Sequence, residues 1–356
     1  MAGSLMQPVI PHEGHEPGVY FGMSEDAYHS DPAIGSTDIR KLLTAPSEFH
    51  YSWAGNPERE QQEETEALTF GHAVHRLVLE GTQAFLAEYA PKPDGPDVLV
   101  TADDMKGWLK ARGLLDKGTK EAMADRILAI DPSVKIQDVI LAEHKRNGRK
   151  ILSDAAYRRI MLASAYITKN PHLARSFSGG QSEVSVFWIR RGIRMKCRFD
   201  YLRVIKWQDR RTAVISDLKS FGSRIKPGQS LAQSVTEAAG GYRHQPAHYM
   251  DGLGHAKRLI RDGLVHGSVD LDWLQRVQTS EAMLFAFVFY KSAGSPYAQA
   301  KLLQRQNPIL ESARADIESA LDTFATYHNH FGAAGPWVTL DPPEELSIEE
   351  LPRWML

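Results

Sequence analysis

Apolar positions along the chain change period several times, and each change predicts an element. In ALTFGHAVHRLVLE, residues 67–80, Leu68, His72, His75 and Leu79 fall at i, i+4, i+7 and i+11, which predicts a helix with both histidines near one stripe, closed by Gly81. Further on the period drops to two. Residues 183–190, 193–206 and 213–219 predict three strands, joined by turns at Arg191-Gly192 and 207–212, that form an antiparallel meander. The unbroken apolar run EAMLFAFVFYK, residues 281–291, predicts a buried strand. Helical stretches are predicted at 39–44 (N-capped by Ser36, stopped by Pro46), at 137–169, at 227–262 and at 309–331 after Pro308. Phe49, Tyr51 and Trp53 form an aromatic patch before an acidic loop at 55–66, predicted to be exposed. Residues 1–18 carry no periodicity and read as a loose tail.

Residues 98–131 read as an inserted unit. Thr101 caps a helix running through Arg112, Gly113 ends it, and a short turn leads to a second helix at 120–130. Lys110, Arg112, Lys117 and Lys120 gather near that turn, which suits contact with a DNA backbone; a plain packing hairpin is the alternative.

With 356 residues and 42% apolar content, the chain can bury the core of one large domain and carry an insert. A net charge of −2 gives no global field that would recruit nucleic acid, so any DNA contact must come from local clusters. The single cysteine, Cys197, lies within a predicted strand, excludes an intrachain disulfide framework or a Cys-rich zinc site, and reads as core filler. No stretch approaches the ~20 apolar residues of a membrane span, and no leader pattern opens the chain, so a cytoplasmic location is expected.

The candidate chemistry lies in residues 193–219. Asp217 and Lys219 share one strand face while Leu218 points to the other, and hairpin pairing can bring Asp200 beside them. Two converging carboxylates repel each other unless a cation joins them, and hard oxygen ligands suit Mg²⁺ or Mn²⁺. A surface hairpin carrying a Lys–Asp pair is the alternative. Arg194, Lys196, Arg198 and Asp200 alternate onto one face, either solvated or leading phosphates to the metal. Gln245 and Tyr249 sit four apart on one helix face.

Four motifs in order, G-H-A-V-H, R-F-D, D-L-K and Q-x-x-x-Y, resemble the PD-(D/E)XK nuclease superfamily in its RecB/RecE-like branch, most closely the RecE-type phage exonucleases (exodeoxyribonuclease VIII type). The resemblance covers roughly residues 28–354, including the 36–51 opening and the Leu-Pro-x-Trp ending. The insert, in LKARGLLDKGTKEAMADRI, resembles the SAP motif. Together these imply an α/β (α+β) fold with a restriction-endonuclease-like core, a central mixed sheet with an antiparallel meander flanked by helices, formed by residues 19–97 and 132–356 around the helical insert.

The resemblance also implies roles. His75, Asp200 and Asp217, with the Leu218 carbonyl, would hold one or two Mg²⁺ (or Mn²⁺) ions, and Lys219 is the motif lysine. Gln245 and Tyr249 would lie against DNA and the active site. Beside these, Glu183, at the start of the first strand, is either a partner that supports the ligands from outside or a plain surface residue, and Arg40, Lys41 and Arg194 are candidates to hold a terminal 5′ phosphate. Asp217 stands where many relatives have Glu. The implied activity is degradation of linear double-stranded DNA from its 5′ end in phage-type recombination, by a ring-forming homo-oligomer with a single-strand annealing protein as partner. An endonuclease or single-strand-specific nuclease on the same core, and an inactive DNA-binding or assembly protein, are the competing readings.

Overall fold

The structure is a computed structural model and describes residues 14–59, 66–221, 228–292 and 294–341, with 348 and 355. The Leu-Pro-x-Trp segment at 351–354, residues 1–13 of the expected tail and 60–65 of the acidic loop lie outside the described residues.

The meander forms from Gly180–Arg190 (β2), Ile193–Trp207 (β3) and Arg210–Phe221 (β4). Both turns are two residues long: Arg191 and Gly192 (φ 53° and 75°), and Gln208 and Asp209 (φ 47° and 60°), lie between directly paired residues. Paired positive φ values match the right-handed twist of the strands, which is why the second turn is tighter than the expected 207–212. Ala282–Lys291 (β6) lies parallel to β4, with Phe287 opposite Asp217, and its apolar character follows from its central place. Ala298–Gln304 (β7), Gly18–Tyr20 (β1) and Val265–His266 (β5) complete a seven-stranded mixed sheet in the order β7-β6-β4-β3-β2-β1-β5. The α/β class expected from the sequence is the one observed. β1 begins inside the segment expected to be a tail.

Helices cover both faces. On one, Ser36–Thr44 (α1), His244–Arg261 (α7) and Pro308–Phe331 (α8) close the main core over Met195, Cys197, Phe199 and Ile215. Gly252 permits the approach of α7, because a Cβ there would stand 2.5 Å from Cys197 Sγ. On the other face, Glu66–His75 (α2) and Asp154–Thr168 (α5) pack Val74, Ile160 and Ala163 against Leu218 and Val288. Among the described residues no helix is long and apolar enough to cross a membrane.

Several helices differ from the periodic reading. The stretch 67–80 is helical only to His75, passes through a π-helical turn, Arg76–Glu80, and resumes as Gly81–Glu88, so Gly81 (φ 89°) marks a bend and not an end. The stretch 227–262 breaks at Tyr242-Arg243 into Leu231–Gly241 (α6) and α7. A short strand, Lys150–Leu152, interrupts 137–169. Gly35, not Ser36, caps α1, its N–H donating to Asp38 Oδ2 at 2.8 Å.

The insert contains Ala102–Lys110 (α3) and Lys120–Ile130 (α4), capped by Thr101 and Thr119. Met105, Leu109, Met123, Ala124 and Ile127 form a small core of their own with Ile136. A short parallel pairing, Val98 with Lys135 and Leu99 with Ile136, closes the unit, which therefore reaches past residue 131.

Candidate metal centre and cleft

The site forms where the sheet's regular pairing stops. The β3–β4 ladder ends at Tyr201↔Ser216, and beyond it the Leu218 N–H donates to Asp200 Oδ2 at 2.7 Å, so a carboxylate replaces a ladder acceptor. On the other side of β3, the pairs Ser182↔Tyr201 and Val184↔Phe199 leave Glu183 facing Asp200 without a ladder bond of its own. Glu183 has φ 54°, a left-handed conformation that costs a non-glycine residue about 1–2 kcal/mol. The core-facing alternation Ile193, Met195, Cys197, Phe199 resumes at Leu202, so β3 changes face around Asp200. The carboxylates thus sit at a local break in an otherwise regular sheet.

His75, the last residue of α2, reaches this break from the helix layer. Its Nε2 lies 3.1 Å from the Leu218 carbonyl, which can only accept, so Nε2 carries the proton and the Nδ1 lone pair faces Asp200 Oδ2 at 3.8 Å. Burial, and then the Lys219 charge, lower the His75 pKa to about 4, so the imidazole is neutral and free to ligate near neutral pH. One ligand atom each from His75, Glu183 and Asp200 lie within 4.8 Å of one another.

The electrostatics fit a cation. Burial, and then Asp200, push the Glu183 carboxyl up to about 8. Burial also raises Asp200, against the opposing influence of Lys219, the Leu218 N–H and Arg198. Without a cation, the facing pair cannot both hold a charge cheaply. Two carboxylates and one neutral imidazole are a donor set that Mg²⁺ or Mn²⁺ accepts.

Beside this group, Asp217 is fully buried on β4. Its Oδ1 accepts from Gln245 Nε2 at 2.6 Å and its Oδ2 pairs with Lys219 Nζ at 2.8 Å. Burial raises the Asp217 pKa to about 7, opposed by Lys219. Burial also works against the Lys219 ammonium, but Asp217 and Asp200 outweigh it and its pKa is raised, so the lysine stays charged.

Two clefts meet here. A cavity of about 740 Å³ opens onto His75, Glu183 and Asp200, and one of about 230 Å³ is bounded by Arg40, Lys219, Tyr242 and Gln245 with Ser36 and Thr37. Tyr249 lines both.

The structure therefore gathers His75, Glu183, Asp200, Asp217, Lys219, Gln245, Tyr249 and Arg40 around one centre. Glu183, given a supporting role by the sequence reading, faces Asp200 directly, while Asp217 faces Lys219 and Gln245 and stands outside the close three-residue group. The Leu218 carbonyl accepts a hydrogen bond from His75 Nε2. Lys41 turns away, its Nζ donating to Ser52 Oγ at 2.5 Å. Arg194 is buried six residues along β3 from Asp200, about 20 Å by strand rise. The basic face of β3 is not simply solvated: Lys196 Nζ donates to the Tyr28 and Asp31 carbonyls at 2.8 and 2.7 Å, whereas Arg198, which donates to Met23 O at 2.7 Å, also lines the 740 Å³ cleft. Lys110 and Lys117 are exposed on the insert, whereas Lys120 is paired with Asp138 at 2.5 Å. Sequence reasoning gave no role to Tyr242, whose ring centroid lies 5.6 Å from Lys219 Nζ.

No family model matches this chain, and no curated protein matches it. Among solved structures it is similar to a candidate exonuclease from Eubacterium rectale, with 12% identity over 93% of this chain and 98% of that one and a TM-score of 0.44. At that score the likeness carries no argument, and the functional reading rests on the geometry of the site.

Proposed function

We propose that this protein is a metal-dependent deoxyribonuclease that degrades linear double-stranded DNA from its 5′ end. The observation that carries the reading is the convergence of His75, Glu183 and Asp200 within 4.8 Å, beside a lysine held charged by a buried aspartate. Those three residues would hold the ion. A divalent cation there supplies Lewis acidity toward a phosphate oxygen and lowers the pKa of water.

The chain's own groups do the rest. Lys219 presents a fixed positive charge to the 230 Å³ cleft and stabilises the charge that develops on a phosphate during attack. Asp217 keeps that ammonium charged, and Gln245 fixes the Asp217 carboxylate from α7. Arg40 and the start of α1 add a guanidinium and backbone N–H groups to the same cleft, a setting suited to a terminal 5′ phosphate. The order of the four motifs supports the 5′-to-3′ direction, a ring-shaped homo-oligomer and work beside a single-strand annealing protein in recombination. The exposed lysines of the insert support an accessory grip on the DNA backbone.

The test is a linear duplex labelled separately at each 5′ and 3′ end, incubated with Mg²⁺ or EDTA beside a closed circular control. Loss of 5′ label as mononucleotides, only with Mg²⁺ and with circles intact, is expected. Nicked circles would make the core an endonuclease, and DNA binding without cleavage in either buffer would make it a binding protein.

A further inference from the structure

One face of α7, from Ala247 to Arg261, lines a separate cavity of about 410 Å³. Those lining positions recur every three or four residues on the face of α7 opposite Gln245 and Tyr249, and the cationic end of the cavity, at Arg258, lies 13 residues beyond Gln245, about 20 Å by helical rise. Ala247, Met250 and Met283 give it an apolar lining, and Gly254 leaves open space where a side chain would project.

The rest of its wall is mostly cationic, with the Asp251 carboxylate and the Gln278 amide among the cations. Two arginines are neutralised: Arg190 bonds Asp251 at 3.1 Å and also Glu318, and Arg261 pairs with Asp262 at 3.3 Å. Lys257 and Arg258 of α7, Arg305 after β7 and Arg314 of α8 pair with no carboxylate among the described residues. Two of these cations meet neutral acceptors, Lys257 Nζ the Ser280 carbonyl and Arg314 the Arg305 carbonyl at 2.8 Å, which orient a charge without cancelling it. Burial, followed by Arg305, lowers the Lys257 pKa, as expected where like charges converge. The chain as a whole is slightly acidic, so this concentration of positive charge is local.

An apolar lining beside unneutralised cations matches the two halves of a nucleotide, with the base against Met250 and Met283 and phosphates on the guanidinium groups. Four cations drawn from three parts of the fold exceed what one terminal phosphate needs and suit consecutive phosphates of a strand. We propose that this cavity is a second nucleic-acid site, which binds a single DNA strand away from the metal centre. The inference takes DNA as the ligand from the proposed function but does not depend on metal chemistry.

The experiment measures fluorescence anisotropy of a labelled oligothymidylate strand in EDTA, with the full chain, across a salt series. Arg258 and Arg305 are exposed, so Arg258→Gln/Arg305→Gln removes charge without disturbing packing. It should weaken strand binding about tenfold and reduce the salt slope by ~1.4, or ~0.7 for each phosphate no longer neutralised. Arg258→Lys/Arg305→Lys should restore the slope, and Lys92→Gln/Lys169→Gln should change neither quantity. Affinity and slope equal to wild type in the double glutamine variant would overturn the proposal. So would displacement of the strand by thymidine 5′-monophosphate at equal phosphate concentration, which would assign the cavity to free nucleotides. Because binding is read in EDTA, an inactive protein whose strand binding still depends on Arg258 and Arg305 would sink the nuclease reading and leave this one standing.

Discussion

Glu183 faces Asp200 across the β2–β3 hairpin, in a left-handed backbone conformation, with the Arg198 guanidinium 3.5 Å from Glu183 and with Lys219 and the Leu218 N–H acting on Asp200 to offset part of the repulsion. Strain and like-charge repulsion at one point are two costs that a bound cation would offset together. Glu183→Gln should therefore raise the thermal midpoint in EDTA. It should also remove the rise that Mn²⁺ gives the wild type, about 2.7 kcal/mol at a hundredfold excess over Kd, and lower cleavage about a hundredfold or more. A Mn²⁺-dependent midpoint that survives in this variant would exclude Glu183 as a ligand.

Asp217 should be required for the fold as well as for cleavage. Asp217→Ala strands the Lys219 ammonium and the Gln245 amide beside a buried space, at a cost of about 3 kcal/mol. Asp217→Asn keeps the shape and an acceptor for Gln245, so it should lose cleavage but much less stability. Urea denaturation of the two variants checks this, and equal midpoints would contradict it.

Arg40 should decide end preference. Arg40→Gln should reduce the ratio of rates on 5′-phosphorylated and 5′-hydroxyl duplex ends about tenfold. Lys41→Gln, whose wild-type side chain is bound to Ser52, should leave that ratio unchanged.

On the insert, Lys110→Gln/Lys117→Gln should weaken duplex binding and reduce its salt slope by ~1.8, while a short duplex at saturating concentration is still cut. An unaltered slope would make the insert a packing element.

His248 should make the fold acid-sensitive. It is fully buried against Trp188, its Nε2 lies 2.8 Å from the Lys196 carbonyl, and burial lowers its pKa to about 4. The unfolded histidine takes up a proton as the pH falls below about 6.5, and the folded one refuses it until about 4, so this contribution is complete above that window and lost through it at about 1.4 kcal/mol per pH unit. Glu183 and Asp217, with raised pKa values, act with the opposite sign. The measurement is accordingly the difference in urea midpoint between wild type and His248→Gln at pH 7 and pH 5, which should shrink at the lower pH.

By itself the sequence determined what local periodicity and short-range chemistry can specify: the meander, the buried strand at 282–291, the two capped helices of the insert, and Asp217 and Lys219 on one face of a strand. Even the facing carboxylates follow from turn length, since a two-residue turn at Arg191-Gly192 pairs residues whose numbers sum to 383, which sets Glu183 against Asp200. The second turn is expected at 207–212, and only the structure tightens it to Gln208-Asp209, which aligns Asp200 with Asp217. What the tertiary structure decided depended on contacts distant in the chain. β1, β5 and β7 are too short or too polar to announce themselves and exist because a sheet edge offers them partners. The basic alternation on β3 has the pattern of a solvated face, yet residues 23–31 fold over it and supply backbone carbonyls to Lys196 and Arg198. His75 is a ligand candidate and not a core histidine because α2 ends beside the point where β3 and β4 part, a meeting across more than a hundred residues that no local pattern encodes.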